Sequence, residues 1–283
     1  MFLKDIYIRD PFILAYDGLY YMYGKTKVDD KNFYVYTSED LVKWSEPKIV
    51  FEPPENFWAD RDFWAPEVYS YNGKFYMFAS FKSPVKCRGT QILVSDKPDG
   101  DFSPLTDRPA TPSDWECLDG TLYVDKKGIP YMVFCHEWRQ IGNGTICYAQ
   151  LSDDFKHFVT EPKEMFSAHD YSFVEPIKAG IEKYVTDGPF LHRLKNGDLI
   201  MIWSSFGNDG YFVSVLKSDN GEIDGKWHHQ NMLFDKHGGH GMLFYDFSDE
   251  LKIVFHSPNS PSGEERAMVL NLQEKDGMLG RAE

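Results

Sequence analysis

One hairpin pattern recurs five times along this 283-residue chain, and few folds accommodate such a repeat. Four copies open on a glycine: GLYYMYG at Gly18, GKFYMFAS at Gly73, GIPYMVFC at Gly128 and GDLIMIWS at Gly197, spaced 55, 55 and 69 residues apart. The fifth, ELKIVFHS, begins at Glu250 and sets Ile253 where the fourth has Met201. A short apolar segment precedes each copy: RDPFILAYD, WAPEVYSYN, LDGTLYVDKK, TDGPFLHRLKN and GHGMLFYDFSD. Asp17-Gly18, Asn72-Gly73 and Asn196-Gly197 join such pairs with residues that tolerate the positive φ of tight hairpins. Third segments such as VYTSEDLVKW and CYAQLSDDFKHF then end on an aromatic just past an acidic turn. Five units of roughly 57 residues predict an all-β fold, a five-bladed β-propeller with about four antiparallel strands per blade. No long helical periodicity, linker or surplus segment is present, so residues 1–283 are expected to form one domain.

In a propeller the first strand of each blade is innermost, so residues at the five strand starts converge on one mouth. Here those starts hold Asp10, Glu67, Asp119, Asp187 and His240. Crowded carboxylates repel one another and raise one another's pKa, a cost that points to a functional centre. The 22 Phe, 17 Tyr and 7 Trp offer flat apolar faces of the kind that stack on sugar rings. With 44 acidic against 30 basic residues, a net charge of −14 and no basic block, nucleic acid is excluded as a partner. No apolar run approaches the ~18 residues of a membrane span. MFLKDIYIRD lacks the layout of a signal peptide, which suits a cytoplasmic protein or the trimmed form of an exported one. Cys87, Cys117, Cys135 and Cys147 lack metal-ligand spacing and are expected to be reduced and mostly buried. A monomer is expected.

RDPF at 9–12, LDG at 118–120 and TDGP at 186–189, together with the five repeats, resemble glycoside hydrolase family 43, the inverting five-bladed-propeller glycosidases. The resemblance spans the whole chain and implies roles for particular residues. Asp10, followed by Pro11, falls on the base that activates water. Asp119 falls on the carboxylate that tunes the pKa of the acid and orients it. Asp187 falls on the general acid, ordinarily Glu in an E-G-P motif; Thr186-Asp187-Gly188-Pro189 has a side chain shorter by one methylene, roughly 1.5 Å. Glu67, Glu137 and Glu175 are the alternative proton sources. His240, in Gly239-His240-Gly241, falls on a histidine near the axis associated with a cation or water, which implies a structural Ca2+ or other cation there and no other cofactor. The competing reading of His240 is a backbone hydrogen bond within a tight glycine turn.

FWADRDFWAPEV places Trp58, Arg61, Trp64 and Glu67 at the entry to blade two, where tryptophan would stack on sugar and Arg61 with Asp62 would bracket hydroxyls. Trp138, in CHEWRQIGNGT, is expected on a second wall, and His256, in VFHS, beside the pocket; Trp44 and Trp227 are expected in the core. The resemblance implies an exo-acting inverting glycosidase that takes oligo- or polysaccharides of plant type and releases α-L-arabinofuranose or β-D-xylose, with galactosyl linkages a further option. Two other readings compete. A retaining fructan-type propeller hydrolase also carries R-D-P, and WECLDG offers Glu116-Cys117 as its acid motif, although no N-D-P-N-G segment exists. A carbohydrate-binding or catalytically lapsed propeller is suggested by the missing Glu in blade four.

Overall fold

The computed structural model describes residues 1–26 and 30–282. Their strands form five four-stranded antiparallel sheets, each consecutive in sequence. Blade I comprises β1 (Arg9–Tyr16), β2 (Leu19–Lys25), β3 (Phe33–Ser38) and β4 (Lys48–Phe51). Blade II comprises β5 (Arg61–Tyr71), β6 (Lys74–Lys82), β7 (Gly89–Ser95) and the two-residue β8 (Ser103–Pro104). Blade III holds β9 (Cys117–Val124), β10 (Pro130–His136), β11 (Thr145–Gln150) and β12 (Lys163–Ser167). Blade IV holds β13 (Asp187–Arg193), β14 (Leu199–Gly207), β15 (Gly210–Ser218) and β16 (Trp227–Phe234). Blade V holds β17 (Gly239–Tyr245), β18 (Leu251–Ser257), β19 (Arg266–Lys275) and β20 (Met278–Arg281). The innermost strands β1, β5, β9, β13 and β17 pack side by side around the axis, each against the next and the last against the first. This is the five-bladed propeller that the repeats imply. One turn, α1 (Trp138–Ile141), is the only α-helix among the described residues.

The core lies between neighbouring sheets, which explains the unbroken apolar runs of the second strands. A strand covered on both faces has no solvent side to mark with alternating polar residues. Thus β14 buries every residue from Leu199 to Ser205, and Trp203 packs against Phe166, Tyr171 and Phe212 at 5.2–5.9 Å between blades III and IV. Phe33, Phe51, Phe63 and Phe81 fill the seam between blades I and II, the last two edge-on at 4.9 Å. Trp44 and Trp227 are buried, as are Cys117, Cys135 and Cys147, and all four cysteines are free. Asp17-Gly18 and Asn72-Gly73 turn with both residues at positive φ, whereas at 196–197 only Gly197 does so. There the Asn196 side chain bonds Asp198 instead.

Ring closure is non-covalent and involves the first strand. Tyr7 bridges to Arg266, the Ile8 amide donates to the Glu265 carbonyl at 3.2 Å, and Arg9 reaches blade V. Its Nη1 donates to Glu265 Oε1 at 2.9 Å, and its Nη2 to Asn259 Oδ1 at 2.8 Å.

Every innermost strand carries a bulge near its start. The register slips by one residue between Arg9 and Phe12, Trp64 and Glu67, Leu118 and Thr121, Asp187 and Phe190, and Gly239 and Met242. The first bulged residue is left-handed in all five: Asp10, Ala65, Asp119, Gly188 and His240, with φ between 46° and 53°. A bulge of this kind re-aims side chains and is common beside active sites. Asp10, Asp119 and His240 are therefore equivalent by register. Asp187 stands one position earlier and Glu67 two positions later, which corrects the expectation that all five share one place. At Gly188 the reason is steric as well as conformational, because a Cβ would lie 2.9 Å from the His240 ring.

Candidate active site

The bulges deliver three carboxylates to one imidazole. His240 Nδ1 lies 3.3 Å from Asp10 Oδ1 and 3.8 Å from both Asp119 Oδ2 and Asp187 Oδ1. The three acids line the floor of a cleft of about 360 Å³, with buried His240 behind them. All five blades contribute to the lining: Arg9 from blade I, Trp64 from II, Trp138 and Arg139 beside III, Tyr211 from IV and Asn259 beside V.

The three acids have different electrostatic surroundings. Burial pushes Asp10 up, but His240, a hydrogen bond from His256 and Arg9 outweigh it and hold the carboxyl well below the usual range. His256 Nδ1 is 3.2 Å from Asp10 Oδ1, and its Nε2 faces Asn259 Oδ1 at 3.1 Å. Asp119 goes the other way. Burial, the charge of Asp187, a hydrogen bond shared with Asp187 and the charge of Asp10 push it well above the usual range, against a 3.1 Å bond from the Gly188 amide. Asp187 is the most accessible of the three, its side chain 23% exposed against 11% for Asp10 and 3% for Asp119. Its Oδ2 accepts a 2.5 Å hydrogen bond from Tyr211. The trio thus combines one carboxylate held ionised, Asp10, with a buried carboxyl pushed towards its protonated form, Asp119, beside the more accessible Asp187.

Glu67 is fully behind the cleft. Burial pushes its carboxyl up to about 7, against hydrogen bonds from Tyr69 (2.5 Å) and Thr121. Glu137 lines the cleft, yet both its oxygens are engaged, Oε2 by Arg88 at 2.5 Å and Oε1 by Arg139 at 3.1 Å. Glu175 lies outside the lining, and so do three of the residues expected on the walls. Trp58 donates to Gln91 at 3.0 Å, half-exposed Arg61 pairs with Asp60, and His256 is buried behind Asp10. Of the three only Arg61 lies on β5, where a register slip separates it from the lining residue Trp64; Trp58 precedes that strand and His256 stands on β18. Glu116, the acid of the fructan-type reading, pairs with Lys82 at 2.5 Å, also outside the lining.

Residues the sequence reading missed line or back the walls. Arg88 is buried, with its guanidinium 4.2 Å from the Trp64 ring centroid, Nη1 on Glu137 and Nη2 on Asp62 at 2.5 Å. It backs the tryptophan and ties blade II to blade III. No repeat or motif marks Arg88, since its partners come from two separate segments, β5 and the turn before α1. Tyr211, in GYFVSV, likewise carries no signal beyond an aromatic in a strand. Arg9 had one, as the residue before Asp10 in RDPF.

Asp119, Asp187 and His240 each offer one ligand atom, all within 4.8 Å of one another, so this group could hold a cation. Two of these donors are oxygens and the third is an imidazole nitrogen, against the roughly 6–8 oxygens that Ca2+ takes, so water or sugar hydroxyls would have to supply most of its shell.

The family model for glycosyl hydrolases family 43 matches residues 5–277. The chain is 22% identical over 282 residues to xylosidase/arabinosidase 43A of Humicola insolens, covering 92% of this chain and 79% of that protein. It is also 22% identical over 249 residues to a xylosidase/arabinosidase of Bacteroides ovatus, covering 76% and 74% respectively. The crystal structure of an endo-arabinase from Bacteroides thetaiotaomicron superposes with a TM-score of 0.92 at 39% identity over 98% of both chains.

Proposed function

The chain belongs to glycosyl hydrolases family 43, and from that premise we propose that it is an inverting, exo-acting glycosidase that releases a terminal pentose, α-L-arabinofuranose or β-D-xylose. The observation that carries this reading is the unlike surroundings of the acids on the cleft floor: Asp10 is held ionised, whereas buried Asp119, beside the more accessible Asp187, is pushed towards its protonated form. Inversion needs such a difference. One carboxylate must take a proton from water while another carboxyl gives one to the leaving oxygen. Asp10 is the base. Asp187, the more accessible member of the pair, is the acid, and Asp119 is the deeper carboxyl that keeps a proton within its reach. Asp10 Oδ1 and Asp187 Oδ1 both flank His240 Nδ1, at 3.3 and 3.8 Å, so the two carboxylates face one reaction centre from blades I and IV.

Water held by Asp10 attacks the anomeric carbon opposite the leaving oxygen, and its proton passes to Asp10. Asp187 protonates that oxygen as the glycosidic bond breaks. Trp64 stacks on the sugar, and Trp138 borders the leaving side. A cation on the axis beside His240 would neutralise charge on the floor; loss of thermal stability on dialysis against a chelator, restored by Ca2+, is the test for it. The likeness to the xylosidase/arabinosidases favours exo action. The endo-arabinase likeness favours a second reading, internal cleavage of arabinan.

Proton NMR during the first minutes of arabinotriose and xylotriose hydrolysis tests the proposal. Free pentose appearing first with inverted anomeric configuration is expected. A retained anomer excludes the inverting mechanism, oligosaccharides preceding free pentose in a parallel digest of arabinan would favour endo action, and tight binding without turnover would make the chain a binding protein.

A further inference from the structure

The aspartate in blade IV is shorter than the acid its family ordinarily carries, and the molecule contains a feature that answers this. Tyr211, on β15, donates its phenol proton to Asp187 Oδ2 at 2.5 Å. Its ring is fully enclosed, near-parallel to the His256 ring at 5.8 Å and tilted against Phe206 at 5.1 Å. Across the blade IV–V seam the ring rests on Gly239, where a Cβ would stand 2.4 Å from it, so any side chain there would displace the tyrosine. The Gly238 amide bonds the Tyr211 carbonyl at 3.0 Å and fixes the same seam. The phenol is therefore held by neighbours that leave it one place to point, the outer oxygen of Asp187.

We infer that Tyr211 is a positioning residue for Asp187, its phenol occupying the space and making the hydrogen bond that fix a carboxyl one methylene shorter. Asp187 and Tyr211 act as one unit. The inference rests on the reading of Asp187 as general acid. A glutamate at 187 would advance the carboxyl by roughly 1.5 Å, more than half the present oxygen–oxygen distance, and would lose the Tyr211 bond or collide with the phenol. Without the phenol, the short carboxyl is free to swing away from the leaving oxygen. Each change alone should harm proton delivery, and the two together should repair it.

The test is a double-variant cycle of Tyr211→Phe and Asp187→Glu, assayed on arabinotriose and on 4-nitrophenyl α-L-arabinofuranoside. Phenylalanine keeps the ring packing, and circular dichroism with thermal melting confirms folding. Because an ångström of misplacement can cost about a hundredfold, each single variant should lose roughly 10- to 100-fold in kcat on arabinotriose. On the nitrophenyl substrate, which scarcely needs the proton, each should lose less than about threefold. Asp187→Glu/Tyr211→Phe should recover most of the arabinotriose rate. Multiplicative losses in the double variant, equal losses on both substrates, or an unchanged Tyr211→Phe enzyme would overturn the inference. Asp187→Asn is the separating control: if it shows no preference between the substrates, the acid assignment itself fails, whereas a preference with a multiplicative cycle removes Tyr211 alone.

Discussion

Glu67 shows how a residue can read correctly as unusual and still be misplaced. WAPEV marks it as a carboxylate at a strand start, but the bulge at Ala65 sets it two positions deeper, against Tyr69 and Thr121 rather than in the cleft. Burial raises it to about 7 in the folded chain, whereas unfolded it returns to about its ordinary 4.5. The acid thus keeps its proton longer when folded, so its contribution is fully present below pH 4.5 and is lost as pH rises towards 7. Glu67→Gln, which cannot ionise, should gain on the wild type by on the order of 3 kcal/mol between pH 4 and pH 8. Urea unfolding at both pH values checks this, and a pH-independent difference would contradict it. Asp10, Asp119 and His240 were legible because Asp-Pro, Asp-Gly and His-Gly each mark the same bulge. The one-residue offset of Asp187 was not, because left-handed Gly188 takes the bulge position there.

At the scale of elements, the hairpins were legible throughout, since apolar runs punctuated by turn residues have few other solutions. Two-residue β8 and four-residue α1 were not, being too short to carry a period. Nor was the join between blades II and III, where Arg88 stands against Trp64, Asp62 and Glu137 through contacts that no local pattern records. Removing one partner of a buried ion pair leaves the other uncompensated. Arg88→Met should therefore destabilise the chain by about 3–5 kcal/mol in urea unfolding, and adding Glu137→Gln should return part of the loss. KM should rise in Arg88→Met as Trp64 loses its backing. A stability within about 1 kcal/mol of wild type, typical of an exposed pair, would show that the bridge contributes little.

For the whole molecule, ring closure and the site share residues. Arg9 precedes the proposed base, lines the cleft and holds Asn259 and buried Glu265 of the last blade. Arg9→Met should lower the thermal midpoint, by an amount corresponding to about 3–5 kcal/mol, and Glu265→Gln should restore part of it; an unchanged midpoint would place closure in the backbone pairing of Tyr7 and Ile8 alone. Five repeats made the ring readable, yet the closing contacts join residues some 250 positions apart and follow no repeat. The site exists only when the ring is complete, because its proposed acid and base come from blades IV and I and its imidazole from blade V. The division of labour between acid and base is the central claim, and steady-state rates of Asp10→Asn and Asp187→Asn on arabinotriose and nitrophenyl arabinofuranoside test it most directly. Asp10→Asn should lose about a thousandfold or more on both substrates, and Asp187→Asn a comparable factor on arabinotriose but little on the nitrophenyl compound. Equal losses for Asp187→Asn on the two substrates, or an Asp10→Asn enzyme retaining more than about a tenth of wild-type kcat, would contradict it.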